Sequence, residues 1–235
     1  MNKPLPDFWA VIPAAGFGIR MAADRPKQYL QLGERTILEH SLECFLDHPG
    51  LKGLVISLAV DDPYWQNLPC ANDLRILRTA GGVERSGSVL NALLQLNALG
   101  VSDDNWVLVH DAVRPNLSRD DLNKLLAQLA NDPVGGFLAV PARDTLKRVD
   151  KYGRVIETLD RSLIWQAYTP QMFRLGALCR ALTNCLVSGV LISDEASAIE
   201  WSGQAQRLIE GRSDNIKVTR PEDLDWLRLC LANRG

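Results

Sequence analysis

Short runs of β-favouring apolar residues alternate along this chain with longer segments whose apolar residues recur at helical spacing, and this alternation constrains the fold more than any single motif. The runs fall at residues 9–12, 54–60, 74–77, 106–109 and 137–140. Several are apolar at consecutive positions, as in strands of a parallel sheet buried on both faces. Between them Ile37, Leu38, Leu42, Phe45 and Leu46 share one helical face, as do Val89, Leu90, Leu93 and Leu94, and then Leu122, Leu125, Leu126 and Leu129. Thr36 with Glu39 reads as a capping box, and Thr219 with Glu222 repeats the pattern ahead of a last helix carrying Leu224, Leu227 and Leu231. The spacing predicts an α/β fold: a mostly parallel sheet flanked by helices.

Composition narrows what such a fold does. A chain of 235 residues buries about 70 to 75% of its unfolded surface, so a core needs no disulfide or structural metal. The 26 basic and 28 acidic side chains give a net charge of -2 with no Lys/Arg block. That excludes nucleic acid as the main ligand and confines any basic site to a compact pocket. The apolar runs are far shorter than the roughly 20 residues of a membrane helix, so no membrane partner is expected. The opening MNKPLPDF has neither the apolar core of a signal peptide nor the character of a transit peptide, and the expected location is the cytoplasm. Cys44, Cys70, Cys179, Cys185 and Cys230 include no C-x-x-C and fit buried thiols in a reducing compartment. His40, His48 and His110 are too scattered for a zinc site.

One stretch interrupts the rhythm. Residues 143–171 read RDTLKRVDKYGRVIETLDRSLIWQAYTPQ, two β-compatible runs about a turn at 150–153. Its Leu146, Val149, Val155, Ile156 and Leu159 have few helical neighbours to cover them. The expectation is a single α/β domain formed by residues 1–142 and 172–235, with 143–171 as an inserted β-arm that packs against a second copy of the chain. A hairpin folded back on its own domain is the alternative.

The chemistry-bearing residues follow the strands. After the first come Pro13-Ala14-Ala15-Gly16-Phe17-Gly18-Ile19-Arg20-Met21 and then Arg25-Pro26-Lys27-Gln28-Tyr29. Small residues at the carboxyl end of a parallel strand let backbone N–H groups approach an anion. Met21 breaks the dinucleotide fingerprint, Asp61 comes about twice too late to serve as its acidic partner, and the Gly-Lys-Ser/Thr end of a P-loop is missing. Arg20 and Lys27 beside such a cradle suit a triphosphate whose oxygens gain charge as a phosphorus is attacked; a solvated Arg and Lys on an ordinary loop is the bland alternative. Gly81 to Val89, GGVERSGSV, follows the third strand and offers amides and hydroxyls to a base or phosphate, or merely an N-cap in Ser86 or Ser88. His110-Asp111-Ala112-Val113-Arg114 follows the fourth, where Asp111 can hold Mg2+ or a ribose hydroxyl, or pair with Arg114. His110 reads as structural.

Taken in order, AAGFGIRM with RPKQY, GGVERSGSV, VHDAVRP, PARDTLKR, TLDRSLIWQAYTPQ, SDEASAIE and GRSDNIKVTRPEDL resemble the 2-C-methyl-D-erythritol 4-phosphate cytidylyltransferase family over residues 9–224. The resemblance implies a Rossmann-like cytoplasmic nucleotidyltransferase of isoprenoid precursor synthesis, a homodimer through the β-arm, joining CTP to the sugar phosphate with Mg2+. It implies that Ala14, Ala15, Gly16, Phe17 and Gly18 cradle CTP, that Gly82, Arg85 and Ser88 shape the cytosine pocket, and that Arg20 and Lys27 stabilise the transition state. Asp111 would then lie near ribose and metal, with Ala112 beside it and Thr169 near the nucleotide. Thr145, Arg161, Lys217 and Arg114 would serve the sugar phosphate, Thr145 and Arg161 across the dimer. The family often has a second basic residue where Ile19 stands and a polar one where Val83 stands, departures that matter only if side chains rather than amides contact cytosine. Competing readings are a cytidylyltransferase for another polyol phosphate such as ribitol 5-phosphate, a redox Rossmann enzyme, and a nucleotide sensor without turnover.

Overall fold

The computed structural model describes residues 4–16 and 25–232. Strand β1 (Phe8–Pro13) leads by way of a 3-10 turn (Lys27–Tyr29) to a short hairpin, β2 (Gln31–Leu32) with β3 (Arg35–Thr36), and to helix α1 (Ile37–Leu46). Then come β4 (Leu51–Leu58), β5 (Ile76–Ala80), α2 (Arg85–Ala98), β6 (Trp106–Val109), α3 (Arg119–Leu129) and β7 (Gly135–Pro141). The chain ends with β8 (Lys147–Val149), β9 (Val155–Thr158), β10 (Trp165–Arg174), α4 (Leu175–Val187), α5 (Glu195–Trp201), β11 (Arg207–Glu210) and α6 (Pro221–Ala232).

Seven strands form the central sheet in the order β11-β7-β10-β6-β1-β4-β5. Its described pairs are parallel except where β10 runs antiparallel between β6 and β7. Consecutive apolar residues serve opposite faces. Ala10, Ile12, Leu54, Ile56 and Leu108 pack with Leu38, Leu42 and Phe45 of α1 and Leu122, Leu125, Leu126 and Leu129 of α3. Val11, Val55, Val107 and Val109 pack on the other side with Val89 and Leu93 of α2, Leu178 and Leu182 of α4 and Ile199 of α5. Each Val, Leu, Ile or Phe among them contributes about 1.5 to 3 kcal/mol on burial, against about 1 kcal/mol for a helix cap, so the two layers dominate the stability. A smaller cluster of Leu32, Ile37, Val113, Val218 and Leu227 docks α6 beside the first hairpin.

Local sequence explains most element boundaries. Thr36 caps α1, its hydroxyl accepting from the Glu39 amide at 3.2 Å while the Glu39 carboxylate accepts from the Thr36 amide at 2.7 Å. At α6 the expected partner shifts by one residue. Pro221 fixes the first helical position, so the residue that reaches back is Asp223, which accepts from the Thr219 and Arg220 amides at 2.7 and 2.8 Å. The apolar runs at 54–60 and 74–77 overstate two strand ends: Val60 and Leu74 lie outside β4 and β5 and are exposed.

The inserted segment is shorter than its sequence suggests. β8 and β9 form a separate exposed hairpin, with Asp150 accepting from the Tyr152 and Arg154 amides at its tip. The expected boundary at 171, however, falls within the main sheet, because β10 already pairs with β7 from Trp165 and with β6 from Gln171. Gln166, Thr169, Pro170 and Gln171 hide this central strand from an apolar-run criterion. Of the apolar residues expected to lack cover, Val149, Val155 and Ile156 are 49%, 61% and 59% exposed, whereas Leu146 and Leu159 are half-buried; Leu163, not among those expected, is 86% exposed. Among the described residues no helix is long and apolar enough to cross a membrane. None of the five cysteines is in a disulfide.

Candidate active site

The chain runs from β1 to β4 and β5 on one side and then returns to place β6 on the other, so the carboxyl ends of β1 and β6 flank a topological switch point. A cavity of about 340 Å3 opens there, lined by residues of four loops, including Ala14, Ala15 and Gly16, Lys27, Gly82 and Arg85, and Asp111, Ala112 and Lys217. A more open groove of about 800 Å3 between α1, α3 and α6 is larger, but its charges already meet protein partners: Arg212 pairs with Asp214, and Arg119 donates to the Cys44 and Asp47 carbonyls. The smaller cavity is the one where cations, amides and strand ends converge.

Its first wall continues β1. The Ala14 amide donates to the Ser57 carbonyl at 2.8 Å, and the Ala14 carbonyl accepts from the buried Gln28 side chain at 2.7 Å. The same 3-10 turn carries Lys27, and Tyr29 anchors its far end by donating to Asp62 at 2.8 Å. Burial, reinforced by that carboxylate, raises the Tyr29 pKa and keeps the phenol a donor. Lys27 donates through Nζ to the Val218 carbonyl at 2.9 Å, so its ammonium stands between the first loop and the chain leading to α6. Phe17, Gly18 and Arg20, with Ile19 and Met21, lie outside the described residues.

The second wall is the Gly81–Ser88 loop. A Cβ on Gly81 would meet that of Ala15 at 2.1 Å, so the first two loops close on each other only because Gly81 lacks a side chain, and one on Gly82 would meet the Gly87 backbone at 2.6 Å, so the second loop also folds tightly on itself. Ser88 is not an N-cap. Its hydroxyl accepts from the Gly82 amide at 3.0 Å and donates to the Glu84 carbonyl at 3.2 Å, which ties the loop to α2. Val83 is fully exposed at the cavity edge.

Asp111 forms the third wall and collects three cations. Its Oδ1 accepts from Arg85 Nε at 3.0 Å, and its Oδ2 lies 3.2 Å from Arg114 Nε and 3.1 Å from Lys217 Nζ. Burial alone would raise its pKa, but Arg85, Lys217 and Arg114 together overcome that and hold the carboxyl well below its usual range. Beneath it, Thr169 Oγ1 accepts from the Asp111 amide at 3.1 Å and lies 3.0 Å from His110 Nδ1. His110 Nε2 lies 3.1 Å from the Arg114 carbonyl, which requires a proton on Nε2 and leaves Nδ1 to accept from the Thr169 hydroxyl. Burial, opposed by these hydrogen bonds, lowers the His110 pKa to about 4, as a structural neutral imidazole requires.

The expected site residues therefore divide. Ala14, Ala15, Gly16, Lys27, Gly82, Arg85, Ser88, Asp111, Ala112 and Lys217 line one cavity. Arg114 and Thr169 sit behind its wall: Arg114 is buried, donates to the Asn215 carbonyl at 2.7 Å and stacks on Tyr168, whose ring centre is 4.5 Å away. Thr145 and Arg161 are exposed on the arm, with Arg161 donating to the Arg143 carbonyl, and neither lines this cavity. The sequence did not mark Gln28, Asp62 or Glu195 as site residues. Glu195 is fully buried and grips Arg85 with both oxygens, at 2.6 and 3.1 Å. Among the described residues no group of three or more His, Cys, Asp or Glu could hold a metal ion. Asp111 would be the carboxylate to hold a divalent ion here, through Oδ1, which has one cationic donor where Oδ2 has two.

Comparison with known proteins gives one answer throughout. Residues 8–232 match the family described as 2-C-methyl-D-erythritol 4-phosphate cytidylyltransferase. A protein of that name from Pseudomonas fluorescens (strain SBW25) is 82% identical over 234 residues, covering 100% of both chains. Among solved structures, a 4-diphosphocytidyl-2C-methyl-D-erythritol synthase is 37% identical with a TM-score of 0.83, covering 97% of this chain and 100% of its own. The Francisella tularensis 2-C-methyl-D-erythritol 4-phosphate cytidylyltransferase is also 37% identical, with a TM-score of 0.80 over 95% of this chain and 99% of its own.

Proposed function

The chain belongs to the 2-C-methyl-D-erythritol 4-phosphate cytidylyltransferase family, and from that premise we propose how its cavity performs the transfer of a cytidylyl group in isoprenoid biosynthesis. The observation that carries the reading is the meeting of Lys27, Lys217 and Arg85 with the small-residue loops of β1 and β5 in one cavity at the switch point. A phosphomonoester oxygen of 2-C-methyl-D-erythritol 4-phosphate attacks the α-phosphorus of CTP. The bond to the bridging oxygen breaks, pyrophosphate leaves, and the product is 4-diphosphocytidyl-2-C-methyl-D-erythritol.

The nucleophile is already largely ionised near neutral pH, so the protein supplies position and charge rather than a base. His110, whose pKa lies near 4 and whose ring is fully buried, is not called on. The Ala14–Gly18 loop cradles the triphosphate, Gly82, Arg85 and Ser88 shape the cytosine end, and Arg20 and Lys27 offset the charge that grows as phosphorus is attacked. Lys217 faces the sugar phosphate. Asp111 would be the carboxylate that holds Mg2+ beside the CTP phosphates, where the ion would supply neutralisation of phosphate charge. Thr145 and Arg161 complete the acceptor site from the arm of a second copy, in a homodimer that covers Val155, Ile156 and Leu163. The apolar exposure of the arm and the absence of its residues from the cavity lining support that arrangement.

The test is pyrophosphate release from each of four nucleoside triphosphates against methylerythritol phosphate and ribitol 5-phosphate. Release with CTP and methylerythritol phosphate is the expected result. Preference for ribitol 5-phosphate, or silence with every pair, overturns the reading.

A further inference from the structure

A buried carboxylate 110 residues away in sequence decides where Arg85 points. We propose that Glu195 is a positioning residue for the nucleotide site: it takes both terminal nitrogens of Arg85, fixes the guanidinium, and so sets the Asp111 carboxylate that Arg85 holds through Nε. The inference rests on the reading of this cavity as the CTP site and adds to it a residue that does not line the cavity.

Each of the three nitrogens of the Arg85 fork meets a carboxylate oxygen. Nη1 and Nη2 meet the two Glu195 oxygens at 2.6 and 3.1 Å, and Nε meets Asp111 Oδ1 at 3.0 Å. A buried ion pair adds little net stability over a well-packed apolar pair of the same size, because desolvation offsets the attraction. What a bidentate pair does add is direction. Without it the two Nη groups would be free to turn to the open lone pair of Asp111 or to an incoming phosphate, and the wall of the cavity would no longer be preformed.

Glu195 is itself held rigidly. Gln171 of β10 donates to Asp194 Oδ2 at 2.8 Å and accepts from the Ala196 amide at 2.7 Å, so residues on either side of Glu195 are tied to one central strand. That strand also carries Thr169, whose hydroxyl holds the Asp111 amide. The carboxylate of Asp111 is thus aimed through Glu195 and Arg85, and its backbone through Thr169, from a common base. Charge fits the same role. Arg85, Arg114 and Lys217 surround Asp111, and Glu195 is the second anion that balances them.

The experiment compares wild type with Glu195→Gln and Glu195→Asp by thermal melting, by equilibrium titration with CTP, and by kcat and KM for both substrates. Glu195→Gln turns one acceptor into a donor facing Arg85. It is expected to weaken CTP binding and raise its KM by about tenfold or more, as loss of an outer support does, while KM for the sugar phosphate stays within about twofold. Glu195→Asp keeps the charge and recovers part of the CTP affinity. A folded Glu195→Gln that binds CTP like wild type overturns the proposal, as does a fall in apparent kcat that only follows the loss of folded protein with both KM values unchanged. If Glu195→Gln does not fold, Glu195→Asp decides: unchanged CTP affinity overturns the proposal and a several-fold loss supports it. Wild type that fails to bind CTP overturns the reading of the cavity itself.

Discussion

Lys27 touches a neutral carbonyl, and a phosphate oxygen is the stronger acceptor for an ammonium. A charged phosphate oxygen therefore attracts the ammonium more strongly than that carbonyl does, and most strongly when the oxygen carries its greatest charge. Lys27→Ala is accordingly expected to lower kcat by about 10^2 to 10^4 with a smaller change in KM for CTP, and Arg20→Ala to behave alike. Steady-state pyrophosphate release measures this, and an unchanged kcat in both variants removes the two residues from the mechanism. Lys27, Gly82, Ser88 and Asp111 were legible in the sequence because each belongs to a short motif at a strand end. Glu195, Gln28 and Asp62 were not, since their meaning depends on partners 110, 14 and 33 residues away that only the folded chain supplies.

At the scale of elements, the helices and the parallel strands announce themselves through period, and the exceptions have physical causes. β10 lies inside the sheet, between β7 and β6, but exposes its first residues and carries Gln, Thr and Pro where it crosses beneath the cavity. β11 is an edge strand with only Ile209 buried, too little apolar signal for a run. The start of α6 shows how one proline re-registers a cap: Pro221 makes Asp223, not Glu222, the acceptor for the Thr219 and Arg220 amides. Asp223→Ala is therefore expected to cost about 1 kcal/mol, a fall of roughly 2 to 4 °C in Tm, whereas Glu222→Ala stays within about 0.5 kcal/mol. Equal losses in denaturant titrations of the two variants contradict this capping. The difference bears on function, because the segment just ahead of α6 holds Lys217 and the Val218 carbonyl that receives Lys27.

The whole molecule presents a sheet sealed on both faces and an arm that is not sealed at all. Val155, Ile156 and Leu163 are more than half exposed on that arm. The proposed pairing of two copies through it is open to two assays. Ile156→Asp is expected to shift the protein toward monomer in sedimentation and to lower activity at limiting sugar phosphate; wild type that sediments as a monomer at micromolar concentration refutes the pairing. Arg161→Ala, expected chiefly to weaken use of the sugar phosphate, and Lys27→Ala are expected to regain part of the activity when their subunits are exchanged, since some hybrid sites have both intact residues. No recovery after verified exchange refutes a shared site. The arm's sequence revealed its bare apolar surface but not where the insertion ends, because its last strand is also a strand of the domain.

That double membership makes the arm inseparable from the interior. β10 begins at Trp165 beside the projecting segment, and Thr169, four positions on or roughly 13 Å of extended chain, already supports Asp111. A graft that borrowed only the hairpin from a homologue would splice a foreign tip onto a native girder. The natural unit of exchange runs from the tip to Arg174, and chimeras cut at that seam would keep footing and reach in step.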